Sequence, residues 1–360
     1  MSAPFSPSTK GTAPVPLSVL DLATVGEGTS AADALHTAVT LAVQAETRGY
    51  HRFWAAEHHA MPEVASSSPA VLLAHVAART RTIRLGSGGV MLPNHTPLIV
   101  AEQFGTLHAL APGRVDLGLG RAPGTNAATA SALRRNLPRS GGAADFPEQV
   151  EELMAFLTGQ FPAGHPYTEV HAIPGPVQSR LPGGVSATGG PTPWLLGSSG
   201  FSARLAARLG LPFAFAHHFA PQHTTSAVRL YREQFRASAV LDRPYVMIGV
   251  QAFAAEDEKE AYHQVLTGVI SMMRTQRGQS ALMPTSEEAA HHVFSPAEEE
   301  FVQGWMASVE YGTPDVVRDG LARLAERTRA NELLITTYAH GRTERLRSFD
   351  LIADAYGMPS

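Results

Sequence analysis

The strongest constraint in this sequence is a repeated alternation. An apolar run of strand length is followed by a segment of helical length, and the unit recurs eight times. The runs are "PLSVLDLA" (16–23), "HRFWAAEHH" (51–59), "TIRLGSGGVML" (82–92), "RVDLGLG" (114–120), "PWLLGSS" (193–199), "PFAFAHH" (212–218), "YVMIGVQAFAA" (245–255) and "NELLITTY" (331–338). Continuous apolar strands alternating with helices pair in parallel and are covered on their outer face. Eight such units predict an α/β fold closed into a (β/α)8 TIM barrel rather than an open doubly wound sheet.

Helix starts punctuate the alternation. Ser30 is placed to cap the first helix, with Asp33 three residues on and Gly49 at its end. Ser68–Pro69, Thr96–Pro97 and Thr313–Pro314 put a capping hydroxyl before a proline at the first helical turn. Two stretches break the rhythm. Residues 122–190 are rich in Gly, Pro, Ser and Ala, with one helical piece near 147–158, and residues 256–312 are a second excursion. Structureless loops of that length are unusual in a compact domain, so both are expected to be structured insertions, after strand four and before the last helix–strand unit. The expected organisation is a flexible tail over 1–14 and a single barrel domain over 15–360.

Composition narrows the chemistry. There is no cysteine, which excludes disulfides, thiolate catalysis and cysteine metal sites. The net charge of -4 gives no reason to expect nucleic acid or an anionic membrane as partner. No run reaches the roughly 20 apolar residues of a membrane span, and "MSAPFSPSTKGTAPVP" lacks the apolar core of a signal peptide, so a cytoplasmic protein is expected.

In a (β/α)8 barrel the active site lies where the strands end. Strand two ends in Glu57-His58-His59, strand three in Gly86-Ser87-Gly88-Gly89 and strand four in Gly118-Leu119-Gly120-Arg121. Strand five ends in Gly197-Ser198-Ser199-Gly200 and strand six in His217-His218. Glycines without a Cβ let a flat ligand approach the backbone. The Ser198-Ser199-Gly200-Phe201-Ser202 turn opens a helix, and hydroxyls with free N–H groups at a helix N-terminus bind anions. Arg121 can add a guanidinium. The residues thus fit a planar ligand over Gly88–Gly89, with a phosphate at Ser198, Ser199, Ser202 and Arg121. An ordinary serine-capped helix and a solvated arginine are the plain alternative. "GLGRAPG" is not a dinucleotide fingerprint, because Pro123 stands where G-x-G-x-x-G needs its third glycine. Neighbouring strand residues face opposite ways, so His58 and His59 cannot share a metal while both stay in a strand, and no metal is expected. Neither can His217 and His218.

"RFWAAEHHAMP", "RLGSGGVMLPNHTPLIVAEQFGTLHALAPGRVDLGLGRAPG" and "WLLGSSGFSARLAARLGLPFAFAHHF" together resemble the bacterial luciferase-like flavin-dependent monooxygenases, over roughly residues 17 to 355. The resemblance implies a (β/α)8 barrel that uses reduced FMN and O2 on a small organic substrate, the FMN being supplied by a separate NAD(P)H:flavin reductase. It implies a cis peptide at Gly88–Gly89 beside the flavin ring. It implies phosphate binding by Arg121, Ser198, Ser199 and Ser202, and catalysis by His58, with Glu57 or His59 orienting it. It further implies a lid near 272–300 and pairing as a homodimer through barrel helices. Two departures, Gly120 at the place of the luciferases' reactive cysteine and His217 at that of a tryptophan, argue against light emission. His217 is expected to face the flavin or substrate, His218 to face away. The rival readings are a deazaflavin-dependent dehydrogenase on the same fold, a flavin-binding protein without turnover, and a metal-dependent barrel hydrolase.

Overall fold

The computed structural model describes residues 5, 8–133, 144–183, 189–279 and 281–360. Eight parallel strands form the barrel: β1 (Leu17–Asp21), β2 (Arg52–Ala55), β3 (Arg84–Ser87), β4 (Val115–Gly120), β5 (Thr192–Gly197), β6 (Phe213–Ala216), β7 (Val246–Ala254) and β8 (Glu332–Thr336). Each pairs with the next, and β8 pairs with both β7 and β1, which closes the ring. The expected TIM barrel is present. Helices pack around it, and the largest apolar cluster lies between the two layers, with Phe53, Leu85, Leu117, Phe213 and Ile335 on the strands and Leu41, Val76, Phe104 and Leu324 on the helices.

The helix starts follow the sequence signals. Ser30 and Asp33 form a reciprocal capping box on the helix Ala31–Thr47. Ser68, Thr96 and Thr313 stand at the N-cap positions ahead of their prolines, but their side chains make no capping hydrogen bond. There the proline's fixed φ starts the helix.

Both excursions are structured insertions. The first carries the helices Ala127–Leu133, Phe146–Thr158 and Pro176–Arg180, while 134–143 and 184–188 lie outside the described residues. The second carries the helices Glu258–Gln276, Ser286–His291 and Pro296–Met306 and the strand Val309–Gly312. It has its own apolar cluster, built on Val265, Val269, Ile270, Val302 and Met306. It is anchored because β7 is long: residues 247–251 pair with β8, and 251–254 pair with Val309–Gly312. Gln251 sits where β7 changes partner.

The barrel interior has two zones. The lower zone, at the strands' N-terminal ends, is an ionic network among aromatic rings. Arg52 Nε lies 2.9 and 3.0 Å from the two oxygens of Glu332, and its Nη1 lies 2.7 Å from Asp116 Oδ2. Arg84 Nη2 donates to Asp116 Oδ1 at 2.6 Å. The Ser18 and Tyr245 hydroxyls donate to Glu332, and Trp54 Nε1 donates to Asp116. Two cations face two anions, all buried, so each charge is paired. Trp54, Trp194 and Tyr245 fill the remaining space. From the expected tail, Phe5 reaches this end, its ring 5.1 Å from Tyr245 and 5.7 Å from Trp194, and Thr12 N–H donates to Tyr356 O at 2.7 Å. The upper zone is open.

Strand three does not run through as one strand. β3 stops at Ser87, the Gly88–Gly89 peptide is cis as the resemblance implied, and pairing resumes at Val90–Met91. Before the break Gly86 pairs with Asp116; after it Val90 pairs with Leu119. Four steps on one strand oppose three on the other, which is a bulge, a device that re-aims backbone beside active sites. A Cβ on Gly88 would lie 2.5 Å from Leu20 Cδ1, and one on Gly118 would lie 2.1 Å from Ser87 O. At Gly118 glycine is required by the backbone of the neighbouring strand, before any ligand is considered; at Gly88 the close contact is with the tip of the Leu20 side chain, from β1.

Candidate active site

The open zone is a cavity of about 300 Å³ at the C-terminal ends of the strands. His58, Gly88, Gly89, Arg121, Ser198, Ser199 and Ser202 all line it. Residues chosen from four separate strand ends therefore meet in one place.

The serine turn explains itself locally. Ser199, extended at φ -145° and ψ 167°, is the N-cap of the helix Gly200–Leu209, and its side chain makes no capping bond. Its hydroxyl and the first N–H groups of that helix stay available to an anion. A Cβ on Gly197 would lie 2.3 Å from Ser202 Oγ, so glycine lets the turn fold over the Ser202 hydroxyl. The Arg121 guanidinium stacks on Phe201, 4.1 Å from the ring centroid, which holds its charge beside the same helix start. No Asp or Glu is among the described lining residues. The donor set fits an anionic group.

His58 stands just past β2, its backbone N–H bonded to Ser66 O at 3.0 Å. Burial pushes its pKa below the ordinary value, against smaller opposing effects of the Gly124 backbone and the Glu57 charge. His218 is also lowered by burial, opposed by its bond to Gly249 O at 2.9 Å, and the charge of His58 adds to the lowering. Both rings line the cavity as neutral imidazoles at pH 7.

Glu57 does not orient His58. Its Oε1 lies 2.8 Å from His59 Nε2 and 2.8 Å from His95 Nε2, and its Oε2 accepts the Met91 N–H at 3.1 Å. Of the expected orienting pair, His59 is thus turned to Glu57 and away from the cavity. Glu57, His59 and His95 are close enough to ligate a metal, their donor atoms lying within 4.8 Å of one another. Two hydrogen bonds to one oxygen already account for that spacing. The carboxylate, only 1% exposed, clamps the chain past the cis peptide to the end of β2. Glu57→Gln removes the charge and puts an amide among three donors. It is expected to cost about 1–3 kcal/mol in urea unfolding; a loss below about 0.5 kcal/mol would show the clamp to be dispensable.

The second histidine pair reverses the expectation. His217 turns away from the cavity, its Nδ1 2.7 Å from Thr224 Oγ1, and burial lowers its pKa to about 4. His218 faces in. The cause is that β6 ends at Ala216 and residues 217–219 form a turn, so strand alternation no longer assigns the faces. Sequence reasoning also passed over Leu20, Ala56, Gln251, Thr336 and Tyr338, which line the cavity from β1, β2, β7 and β8 and their ends. Their signal was position alone: Leu20, Ala56, Thr336 and Tyr338 stand at or just past a strand's C-terminal end, and Gln251 stands where β7 changes partner. Met272 and Trp305 reach the cavity from the second insertion, flanking the region expected as a lid.

A closed parallel barrel with one cavity at its C-terminal strand ends is the architecture of the barrel enzymes. Within that class the chain belongs to the luciferase-like monooxygenase family, whose model matches residues 15–332. It is 46% identical over 341 residues to the protein YvbT of Bacillus subtilis, covering 94% of this chain and 96% of that one. It is 42% identical over 340 residues to the luciferase-like monooxygenase of Escherichia coli, again covering 94% and 96%. The crystal structure of apo-MsnO8 superposes with a TM-score of 0.82 at 38% identity, covering 96% of this chain and 99% of that one. The fold alone is shared with the FMN complex of the oxygenating constituent of 3,6-diketocamphane monooxygenase (19% identity, TM-score 0.67, covering 95% and 97%). It is likewise shared with an F420-dependent secondary alcohol dehydrogenase (14% identity, TM-score 0.65, covering 95% and 99%). Among the described residues no helix is long and apolar enough to cross a membrane.

Proposed function

We propose that this protein is an FMN-dependent monooxygenase that takes reduced FMN from a separate NAD(P)H:flavin reductase and uses O2 to oxidise a small organic substrate. One observation carries the reading: His58, Gly88–Gly89, Arg121, Ser198, Ser199 and Ser202 line a single cavity. Arg121 and the serines of the helix start would hold the phosphate, and the Gly88–Gly89 strand end would leave room for the ring. Bound reduced FMN supplies two electrons to O2, so that one oxygen atom enters the substrate and the other leaves as water. His58, neutral at its lowered pKa, takes up or holds a proton at an imidazole nitrogen beside the reacting atoms. Met272 and Trp305 keep bulk water out. Pairing as a homodimer belongs to the same reading. The exposed Val71, Ile99 and Leu110 on the helices Pro69–Arg79 and Pro97–Leu110 support it.

The test is a titration with FMN, read by flavin fluorescence, on the native protein and on Arg121→Ala. Removing a charge-assisted contact is expected to raise the Kd about 10- to 100-fold. An unchanged Kd would remove Arg121 from the phosphate site. A parallel titration with a deazaflavin separates the dehydrogenase reading, which requires the deazaflavin to bind and FMN not to.

A further inference from the structure

We propose that the substrate of this site is an uncharged, largely apolar organic molecule, and that the cavity discriminates against carboxylates and other anions of the same shape. The inference rests on the proposed function, because that reading commits Arg121 to the flavin phosphate. Among the described lining residues Arg121 is the one side chain of the Lys, Arg, Asp and Glu types. What is left for a substrate is an apolar wall made by Met61, Phe219, Met272, Trp305 and Leu334, among others.

The polar groups in that wall are all neutral at pH 7. His58 and His218 are uncharged through burial, and His218 spends Nδ1 on Gly249 O. Burial raises the Tyr338 hydroxyl far above its ordinary pKa, so it stays protonated. Gln251 and Thr336 add an amide and a hydroxyl. Such groups can orient one carbonyl, ether or thioether of a substrate. They cannot compensate a full charge removed from water, which costs several kcal/mol per ion without a counter-ion. Both signs are disfavoured on the same ground: among the described lining residues there is no carboxylate to meet a cation, and the one guanidinium is already engaged. A neutral molecule meets neither penalty and gains from each apolar contact.

The experiment compares two aryl thioethers of nearly one shape on the FMN-loaded protein at pH 7.5: 2-(phenylthio)acetamide, which is neutral, and (phenylthio)acetate, which carries a carboxylate. Binding is read from the change in the flavin visible spectrum. The amide is expected to bind at least about tenfold more tightly. Met272→Arg places a cation in the wall and is expected to tighten binding of the acid at least about tenfold over the native protein. Equal or tighter binding of the acid by the native protein overturns the proposal, and so does failure of both probes on protein that holds FMN. A separate FMN titration distinguishes the two levels: if FMN itself does not bind, it is the cofactor reading that has failed, and this inference falls with it.

Discussion

Asp116→Ala is expected to destabilise the barrel by about 3–5 kcal/mol, measured as the shift of the urea unfolding midpoint. The carboxylate lies at the centre of the lower zone, 0% exposed, with Arg52 2.7 Å from one oxygen and Arg84 2.6 Å from the other. Without it the network holds two guanidinium groups and the single carboxylate of Glu332. One buried cation is left without a counter-charge, and that cost exceeds what the four lost hydrogen-bond contacts would have contributed in water. Asp116→Asn keeps the shape and loses the charge, so it is expected to fall between the native protein and the alanine variant. A loss below about 1 kcal/mol for Asp116→Ala would mean that water or another side chain neutralises the arginines, and the network would not hold the barrel floor.

The same carboxylate sets a pH limit. The charges of Arg52 and Arg84 outweigh burial and lower its pKa from 3.8 to about 2. A carboxylate lowered in the folded state stabilises fully above its unfolded value. The contribution declines as pH falls below 3.8 and is gone once pH has passed through about 2. Acid unfolding of the native protein is therefore expected to steepen in that window, and Asp116→Asn to flatten it.

The barrel was legible because its strands are buried on both faces and leave an unbroken apolar signature, as in "RFWAA" and "LLIT". The strand ends were legible for a related reason: polar and small residues stop the apolar runs abruptly, at His58, Arg121 and Ser198. What failed was the fine geometry past those ends. The two faces of a strand can be assigned by alternation only while the strand lasts, and β6 ends one residue before His217. The Glu57 clamp was invisible because its second histidine, His95, lies 38 residues away in a turn after Pro93. Nothing local marks that turn as the place where two strand ends are tied together. The register slip at Gly88–Gly89 was hidden for the opposite reason. A glycine pair is compatible with a continuous strand and with a bulge alike, and only the pairing with β4 decides between them.

His58→Ala is expected to lower substrate oxidation by about 10²- to 10⁴-fold while leaving the FMN Kd within a few-fold of native. The split follows from position. The proposed phosphate set comes from the ends of β4 and β5, whereas His58 stands just past the end of β2, where its ring shares the cavity with His218. Alanine there removes a proton acceptor and one wall contact, and touches none of the groups proposed to hold the phosphate. The measurements are reductase-coupled product formation and, separately, FMN fluorescence quenching. The pH profile adds a signature that a packing role lacks. Because burial holds the pKa below 6.5, the native enzyme is expected to lose activity as pH falls, with a midpoint below that value, and the variant is expected to lose that limb. Equal losses in turnover and FMN affinity, with the acid limb retained in the variant, would assign His58 to shaping the cavity instead of to the chemistry. The neutral ring then matters as a wall, and the proton must be handled by His218, the other imidazole that the turn after β6 brings to the same place.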